Sequence, residues 1–357
     1  MNSEDYQRPP VRVALAGLGR VMLEEHCPLL KAHPGLFRVV AACDILKERR
    51  DRIAGDFPDC RMFRRLSDML DERDIDLVVV ATCSADHVNH ALDSLGRGFW
   101  TMVEIPMALT LDDAQRLRGA AVKAKNRLLV AHRGMFDADF ALARQTVADP
   151  RLGDVYEVRV RREDYIRRDD WQAVKRLGGG ASYYAMPDLI LQALKLLPMP
   201  PIQMWSELKR VASLGDAEDY AHISLRTRGP VSAEVEFNGG VLAPLRAPSF
   251  EIRGSRGVFS VRPGASRGVL TVVDPSFSFP RRRSSVRTPP VCDLHEEFPV
   301  VELPVSLPQG DSYGLAAMWR GVYGAIRTAV PFPVAVEDAM EAVKFSHLMK
   351  KTSPFGK

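Results

Sequence analysis

The feature that most restricts how this chain can fold is an apolar run that ends in two spaced glycines. Val11–Ala16 has the composition of a buried strand and runs directly into Gly17-Leu18-Gly19-Arg20 and a helical pattern. A strand that turns this tightly into a helix directs the helix's unpaired N–H groups and positive dipole end back over the strand. Gly17 permits the tight turn. Gly19 lets the backbone approach an anion, which makes the segment a seat for the pyrophosphate of a dinucleotide. Three places after Gly19, where a third small residue is expected, stands Met22. Its side chain has to push the helix outward or tuck away.

Asp44 supports the same reading from the end of the second strand candidate, 25 residues beyond Gly19. A carboxylate there can accept from both ribose hydroxyls of NAD and repels the 2′-phosphate of NADP. Its plainer role is to cap the next helix. With the glycine turn in front of it, the ribose role and NAD over NADP are expected, with Arg49 and Arg50 leaving room for NADP.

The first third of the chain alternates strand candidates (Val11–Ala16, Arg38–Cys43, Leu77–Ala81, Phe99–Val103, Leu128–Ala131) with helical patterns. One helix candidate is Ser84–Leu95, and Thr110-Leu111-Asp112-Asp113 has the spacing of a capping box. This is the rhythm of βαβ units around a parallel sheet. Beyond about Gly134 the runs 154–162, 222–228, 231–237, 249–253, 257–262 and 268–273 are short and β-rich, separated by glycine and proline. Two helical segments, Asp311–Thr328 and Glu337–Lys351, close the chain. The expected architecture is α/β: a doubly wound parallel-sheet domain over residues 10–133, then an α+β domain with a mostly antiparallel open sheet over 134–351.

Composition narrows the function classes. A length of 357 residues suits two domains, and 49 basic against 45 acidic side chains leave a net charge of +4, too mild to imply nucleic acid. No apolar run approaches the ~20 residues that cross a bilayer, so a cytoplasmic protein without a membrane partner is expected. Five scattered cysteines, never in a C-x-x-C pair, fit neither a disulfide framework nor a zinc cluster. The arginine-rich stretches 161–168 and 281–287 read as solvated faces.

Several spaced motifs, in order, resemble the Gfo/Idh/MocA family of NAD(P)-dependent oxidoreductases. They are Gly17-Leu18-Gly19-Arg20 with His26-Cys27-Pro28; Ala81-Thr82 with His87; Val103-Glu104-Ile105-Pro106; His132 with Phe136; Asp170-Trp171; and Leu177-Gly178-Gly179-Gly180-Ala181. The resemblance implies a Rossmann domain plus an α/β domain, substrate held between them, and a homodimer or homotetramer through the second sheet. It also implies that Gly17, Gly19 and Arg20 hold the pyrophosphate, Asp44 the ribose, and Thr82, Cys83, His87 and Glu104 the nicotinamide end.

The departures from the family fall where its chemistry is done. Typical members read Glu-Lys-Pro where this chain has Glu104-Ile105-Pro106, and they carry an Asp or Asn, a His and an Asp where this chain has Tyr184, Asp188 and Leu191. Isoleucine can neither donate a proton nor stabilise an alkoxide. Either Asp188 with Tyr184 (or Tyr183) replaces the lost groups, or the site is inactive and the chain is a dinucleotide sensor or partner subunit. Redox-neutral elimination or glycoside cleavage, known in some relatives, has no specific support.

His87 and His90 stand three apart on a helix but lack a third ligand, so no metal is expected. Gly264–Gly268 spells G-x-S-x-G between strand-like runs and reads as a hairpin. Lys175, Arg176, Tyr165 and Trp171 are candidates for the substrate cleft or for plain loop surface.

Overall fold

The computed structural model describes residues 8–242, 247–279, 297–310 and 312–356. The stretch 281–287, Cys292 and Asp311 lie outside the described residues. Six strands form the first sheet: β1 (Val11–Ala16), β2 (Phe37–Cys43), β3 (Arg61–Phe63), β4 (Leu77–Val80), β5 (Trp100–Glu104) and β6 (Leu128–Ala131). Every pair is parallel, in the order β3-β2-β1-β4-β5-β6. β4 and β6 are buried at every position, as strands covered on both faces must be. The helices α1 (Cys27–Ala32), α2 (Lys47–Asp56), α3 (Leu66–Leu70), α4 (His87–Gly96) and α5 (Leu111–Lys123) lie between these strands in sequence. α5 starts where the capping spacing placed it, with the Thr110 hydroxyl accepting from the Asp113 amide at 3.1 Å. The strand order reverses at β1, so the crevice over the carboxyl ends of β1 and β4 is the natural ligand position in such a sheet.

After α6 (Ala138–Thr146), the second sheet is built from β7 (Val155–Glu163), β8 (Pro201–Lys209), β9 (Tyr220–Thr227), β10 (Ser232–Asn238), β11 (Phe250–Gly254), β12 (Gly257–Val261), β13 (Arg267–Val273) and β14 (Val300–Ser306). Its order is β14-β13-β12-β11-β7-β10-β9-β8, antiparallel except for β7 with β10. Alternation decides its faces. Ala233, Val235 and Phe237 point inward to a core shared with α6 and the helices α7 (Ala181–Tyr184) and α8 (Met186–Leu196). The opposite face carries ion pairs such as Arg253–Glu157 at 3.0 Å and Arg161–Glu236 at 3.7 Å, with Trp205 57% exposed. Of residues 264–268, the first three lie in the turn of the β12–β13 hairpin and Arg267 and Gly268 start β13.

Two helices end the chain, α9 (Gly314–Tyr323) and α10 (Val336–Thr352). α10 packs against α8 and α5. α9 instead buries Met318, Trp319 and Val322 in the core beneath β1 and β2, so the last part of the chain returns to the first sheet. No helix among the described residues is long and apolar enough to cross a membrane.

Candidate active site

The turn after β1 is built by backbone. Gly17 has φ +87°, and a Cβ on it would stand 2.6 Å from the Ala81 carbonyl oxygen, so only glycine passes here. At Gly19 an added Cβ would meet nothing within 4 Å, which leaves space for a phosphate over the helix amides. Met22 does not fill that space. Its side chain is fully buried in the core with Leu18 and Leu30, and the chain makes one wide, π-type turn over Met22–His26 before α1. The turn opens onto a recess of about 340 Å³ that runs from Asp44 past Gly17 and Gly19 to Thr82 and Cys83, with Trp171 from the second region on its wall.

Asp44 does two jobs. Its Oδ2 accepts from the Leu18 amide at 2.8 Å, bracing the glycine turn, and its Oδ1 accepts from the Leu46 amide at 2.9 Å as the chain enters α2. Arg49 adds a longer contact to Oδ2 at 3.4 Å. A carboxylate oxygen has two lone pairs, so Oδ1 retains one for a ligand hydroxyl. Both readings of Asp44, helix entry and ribose, are geometrically compatible. Arg49, Arg64 and Arg65 line the same end of the recess.

The other three residues expected to hold cofactor lie outside this recess. Arg20 is exposed and pairs with Glu24 at 3.8 Å. His87 is buried, with Nδ1 2.9 Å from the Pro106 carbonyl and Nε2 3.1 Å from the Thr82 carbonyl; burial pushes its pKa down. The neutral ring donates from one nitrogen only, so it bonds one of these two carbonyls, and both nitrogens face backbone rather than the recess. His90, one turn on, bonds the Thr82 hydroxyl at 3.0 Å. Glu104 ends β5 and is bonded through Oε1 to His26 Nε2 at 2.8 Å, while the Trp319 indole donates to His26 Nδ1 at 3.0 Å. The indole is only a donor, so Nδ1 must accept and the imidazole proton sits on Nε2, directed at the Glu104 carboxylate. All three side chains are buried.

Asp188 and Tyr184, the expected catalytic pair, both have neighbours that engage them. Asp188 Oδ1 bonds His132 Nδ1 at 2.8 Å and Oδ2 accepts from the Gly134 amide at 3.0 Å, so Asp188 braces the segment after β6. The Tyr184 ring stands edge-on to Phe237 at 5.5 Å under the Arg168 guanidinium at 4.5 Å, and burial pushes its pKa up to about 12, a poor proton donor near neutrality. Tyr183 donates to the Leu109 carbonyl at 3.3 Å and is likewise pushed up to about 12 by burial. Leu191 packs with Val334 and Ala342, and Ile105 is half-buried against the apolar cluster around β5. Lys175 reaches the Phe355 carbonyl at 2.8 Å, so it ties down the C-terminal tail.

Charged groups that the motifs did not single out stand beside this brace. Arg133, next to His132, is ion-paired with Glu25 on the helix of the glycine turn. Asp137 interacts electrostatically with Asp139, Asp188, Arg162 and Arg133, and Arg162 ends β7 exposed. The sequence signal for this cluster was the Asp137-x-Asp139 pair directly behind the quoted His132 and Phe136. Among the described residues no group of three or more His, Cys, Asp or Glu could hold a metal ion.

Residues 11–132 match the family described as an oxidoreductase family with an NAD-binding Rossmann fold, and residues 140–260 match the GFO/IDH/MocA C-terminal domain. The chain belongs to the Gfo/Idh/MocA oxidoreductase family. Within it, an uncharacterized oxidoreductase of Schizosaccharomyces pombe is 31% identical over 54% of this chain and 53% of its own, so the alignment spans about half of that relative's length. The scyllo-inositol 2-dehydrogenase (NADP(+)) IolW of Bacillus subtilis is 25% identical over 70% of this chain and 68% of its own. Among solved structures, an NAD-binding protein from Listeria innocua superposes with a TM-score of 0.78 at 18% identity, over 94% of this chain and 92% of that one. That likeness shows the Gfo/Idh/MocA fold: a parallel Rossmann sheet followed by a mostly antiparallel one.

Proposed function

We propose that this Gfo/Idh/MocA member is an oxidoreductase that uses NAD to oxidise or reduce a hydroxyl-bearing carbon of a sugar, polyol or related small molecule. The observation that carries the reading is the open seat at Gly19 beside Asp44, in a chain of this family. When bound, the dinucleotide supplies the hydride acceptor or donor. The chain's own part is to receive the pyrophosphate on the Gly19 amide and the unpaired amides of the helix start that follows, since the Gly17 and Leu18 amides are given to Cys43 and Asp44, and a ribose hydroxyl on the free lone pair of Asp44. Thr82 and Cys83 continue the recess toward the nicotinamide end. NAD is preferred because a 2′-phosphate would stand against the Asp44 carboxylate. Against this stand Arg64 on the recess wall and the NADP named for IolW. The polyol class is supported by that relative's name, and a homodimer or homotetramer through the ion-paired face of the second sheet is part of the same reading.

The test is a titration of cofactor-stripped protein with NADH and NADPH, followed by nicotinamide fluorescence. Micromolar affinity, about −8 kcal/mol, with NADH at least tenfold tighter is expected. Absence of binding to both overturns the reading. A second reading, a family member that keeps the dinucleotide without turnover, is favoured by Ile105 and by the two hydrogen bonds that occupy Asp188. Turnover of any polyol with NAD overturns it.

A further inference from the structure

The oxidoreductase reading leaves a proton without an owner, since Ile105 has no titratable group and both oxygens of Asp188 are bonded. We propose that Asp137 is the catalytic base of this site, taking the proton of the substrate hydroxyl. The proposal rests on the oxidoreductase reading above.

Position comes first. The dinucleotide recess runs from the end of β2 across β1 to the end of β4, and the next strands in sheet order are β5 and β6. Glu104 of β5 is paired with Ala131 of β6, and Asp137 follows β6 by one short turn, Arg133–Phe136. Arg133 of that turn is ion-paired with Glu25, on the helix that the glycine turn starts. Asp137 is therefore held at the carboxyl end of the first sheet, two strands beyond β4, where the lining of the recess ends, with Asp188, Arg133 and Arg162 as its electrostatic neighbours.

Its freedom is the second observation. Asp137 is the N-cap residue of α6, where a carboxylate normally folds back onto the first amides, yet it makes no capping bond. Among the described residues no hydrogen bond to its carboxylate is found. It is solvent-exposed, but burial and the neighbouring carboxylates of Asp139 and Asp188 push its pKa up to about 7, against the opposing pull of Arg162 and Arg133. Arg162 is exposed and without a hydrogen bond or ion pair of its own among the described residues.

In the oxidation direction the substrate C–OH becomes C=O. Its C–H bond breaks with the electron pair leaving as hydride to the dinucleotide, and its O–H bond breaks with the proton passing to the Asp137 carboxylate. The base works only when ionised, so the rate rises with pH through the pKa of Asp137.

The experiment uses the full chain with saturating NAD and three probes, myo-inositol, scyllo-inositol and D-glucose, between pH 5.5 and 9. For a probe that is turned over, kcat/KM is expected to climb with its midpoint near pH 7 and to reach a plateau above about pH 8. Asp137→Asn is expected to lower kcat by about 100-fold or more and to remove the limb, with NADH affinity within twofold of the parent. Asp137→Glu keeps a limb at reduced rate. Arg162→Gln moves the limb to higher pH, because the guanidinium favours the ionised carboxyl. Independently of turnover, potentiometric titration of the NADH complex should show the parent taking up about 0.8 proton more than Asp137→Asn between pH 8 and 6. An Asp137→Asn rate within threefold of the parent, an unmoved limb, or equal proton uptake overturns the proposal alone. A parent that binds NADH and oxidises none of the probes overturns the oxidoreductase reading, and the proposal falls with it.

Discussion

The dinucleotide end and the proposed substrate end of this molecule are made of different material. At the first, a turn through Gly17 and Gly19 supplies backbone amides and empty space, and the side chains around it, Asp44 and Met22, are tied to the turn or buried under it. At the second, the segments after β5 and β6 keep their geometry through His26, His132 and Asp188, while the positions that do family chemistry hold Ile105, Tyr184 and Leu191. Backbone-built binding tolerates little change because it depends on where a Cβ can go. Side-chain-built chemistry can be lost or moved to a neighbouring residue while the frame persists.

The sharpest way to break this comparison is a pair of glycine substitutions. Gly17→Ala places a methyl 2.6 Å from a backbone oxygen in a positive-φ conformation, and is expected to cost about 3 kcal/mol or more in denaturant unfolding and to abolish NADH binding. Gly19→Ala is expected to leave stability within about 0.5 kcal/mol while weakening NADH at least tenfold. If both variants unfold alike, the turn is only packing and the open seat has no meaning.

Asp44→Ala comes next. It removes the acceptor for the Leu18 amide together with the charge facing the ribose. NADH affinity measured by fluorescence should fall about 10- to 100-fold, or about 1.4–2.8 kcal/mol, and the preference over NADPH should vanish. Unchanged preference would assign cofactor choice to Arg49 and Arg64. A smaller effect is expected for Trp319→Phe, which leaves His26 Nδ1 buried without its donor and should cost about 1–2 kcal/mol in thermal unfolding. If Glu104 matters to the nicotinamide end only through His26, NADH affinity should shift by less than threefold.

The same contrast explains what could be read from the residues. The Rossmann half and the mixed second half were legible because buried strands such as β4 and β6 announce themselves by uninterrupted apolar runs, and β9 and β10 by strict alternation. The strands that escaped, β3, β8 and β14, are all sheet edges. An edge strand has a neighbour on one side only, and here each carries exposed positions and, in β8, a leading proline, which blur the period. At the recess, Gly17 and Gly19 were legible because a turn is local in sequence, Asp44 because it follows a recognisable strand, and Thr82 and Cys83 only through the resemblance; all five line the same space. The Asp137-x-Asp139 spacing was visible, but the electrostatic interaction of Asp137 with Arg162 and Asp188 is made by tertiary structure, and no short spacing encodes that.

The smallest expected effect is the most discriminating. Ile105→Lys restores the residue type that the resemblance leads one to expect, at a position half-buried against the apolar cluster around β5. The new ammonium can reach solvent by extending its stem. It finds Asp188 still bonded to His132 and Gly134, and Tyr184 still under Arg168, so it adds one charge to a frame whose other members do different work. Polyol oxidation with NAD should therefore stay within about twofold of the parent, and the pH limb assigned to Asp137 should remain. A tenfold rise in kcat with that limb gone would mean that a single ammonium at position 105 can take over the proton chemistry. The substrate end would then be a site one substitution away from the family's own, and its difference from the dinucleotide end would be one of degree.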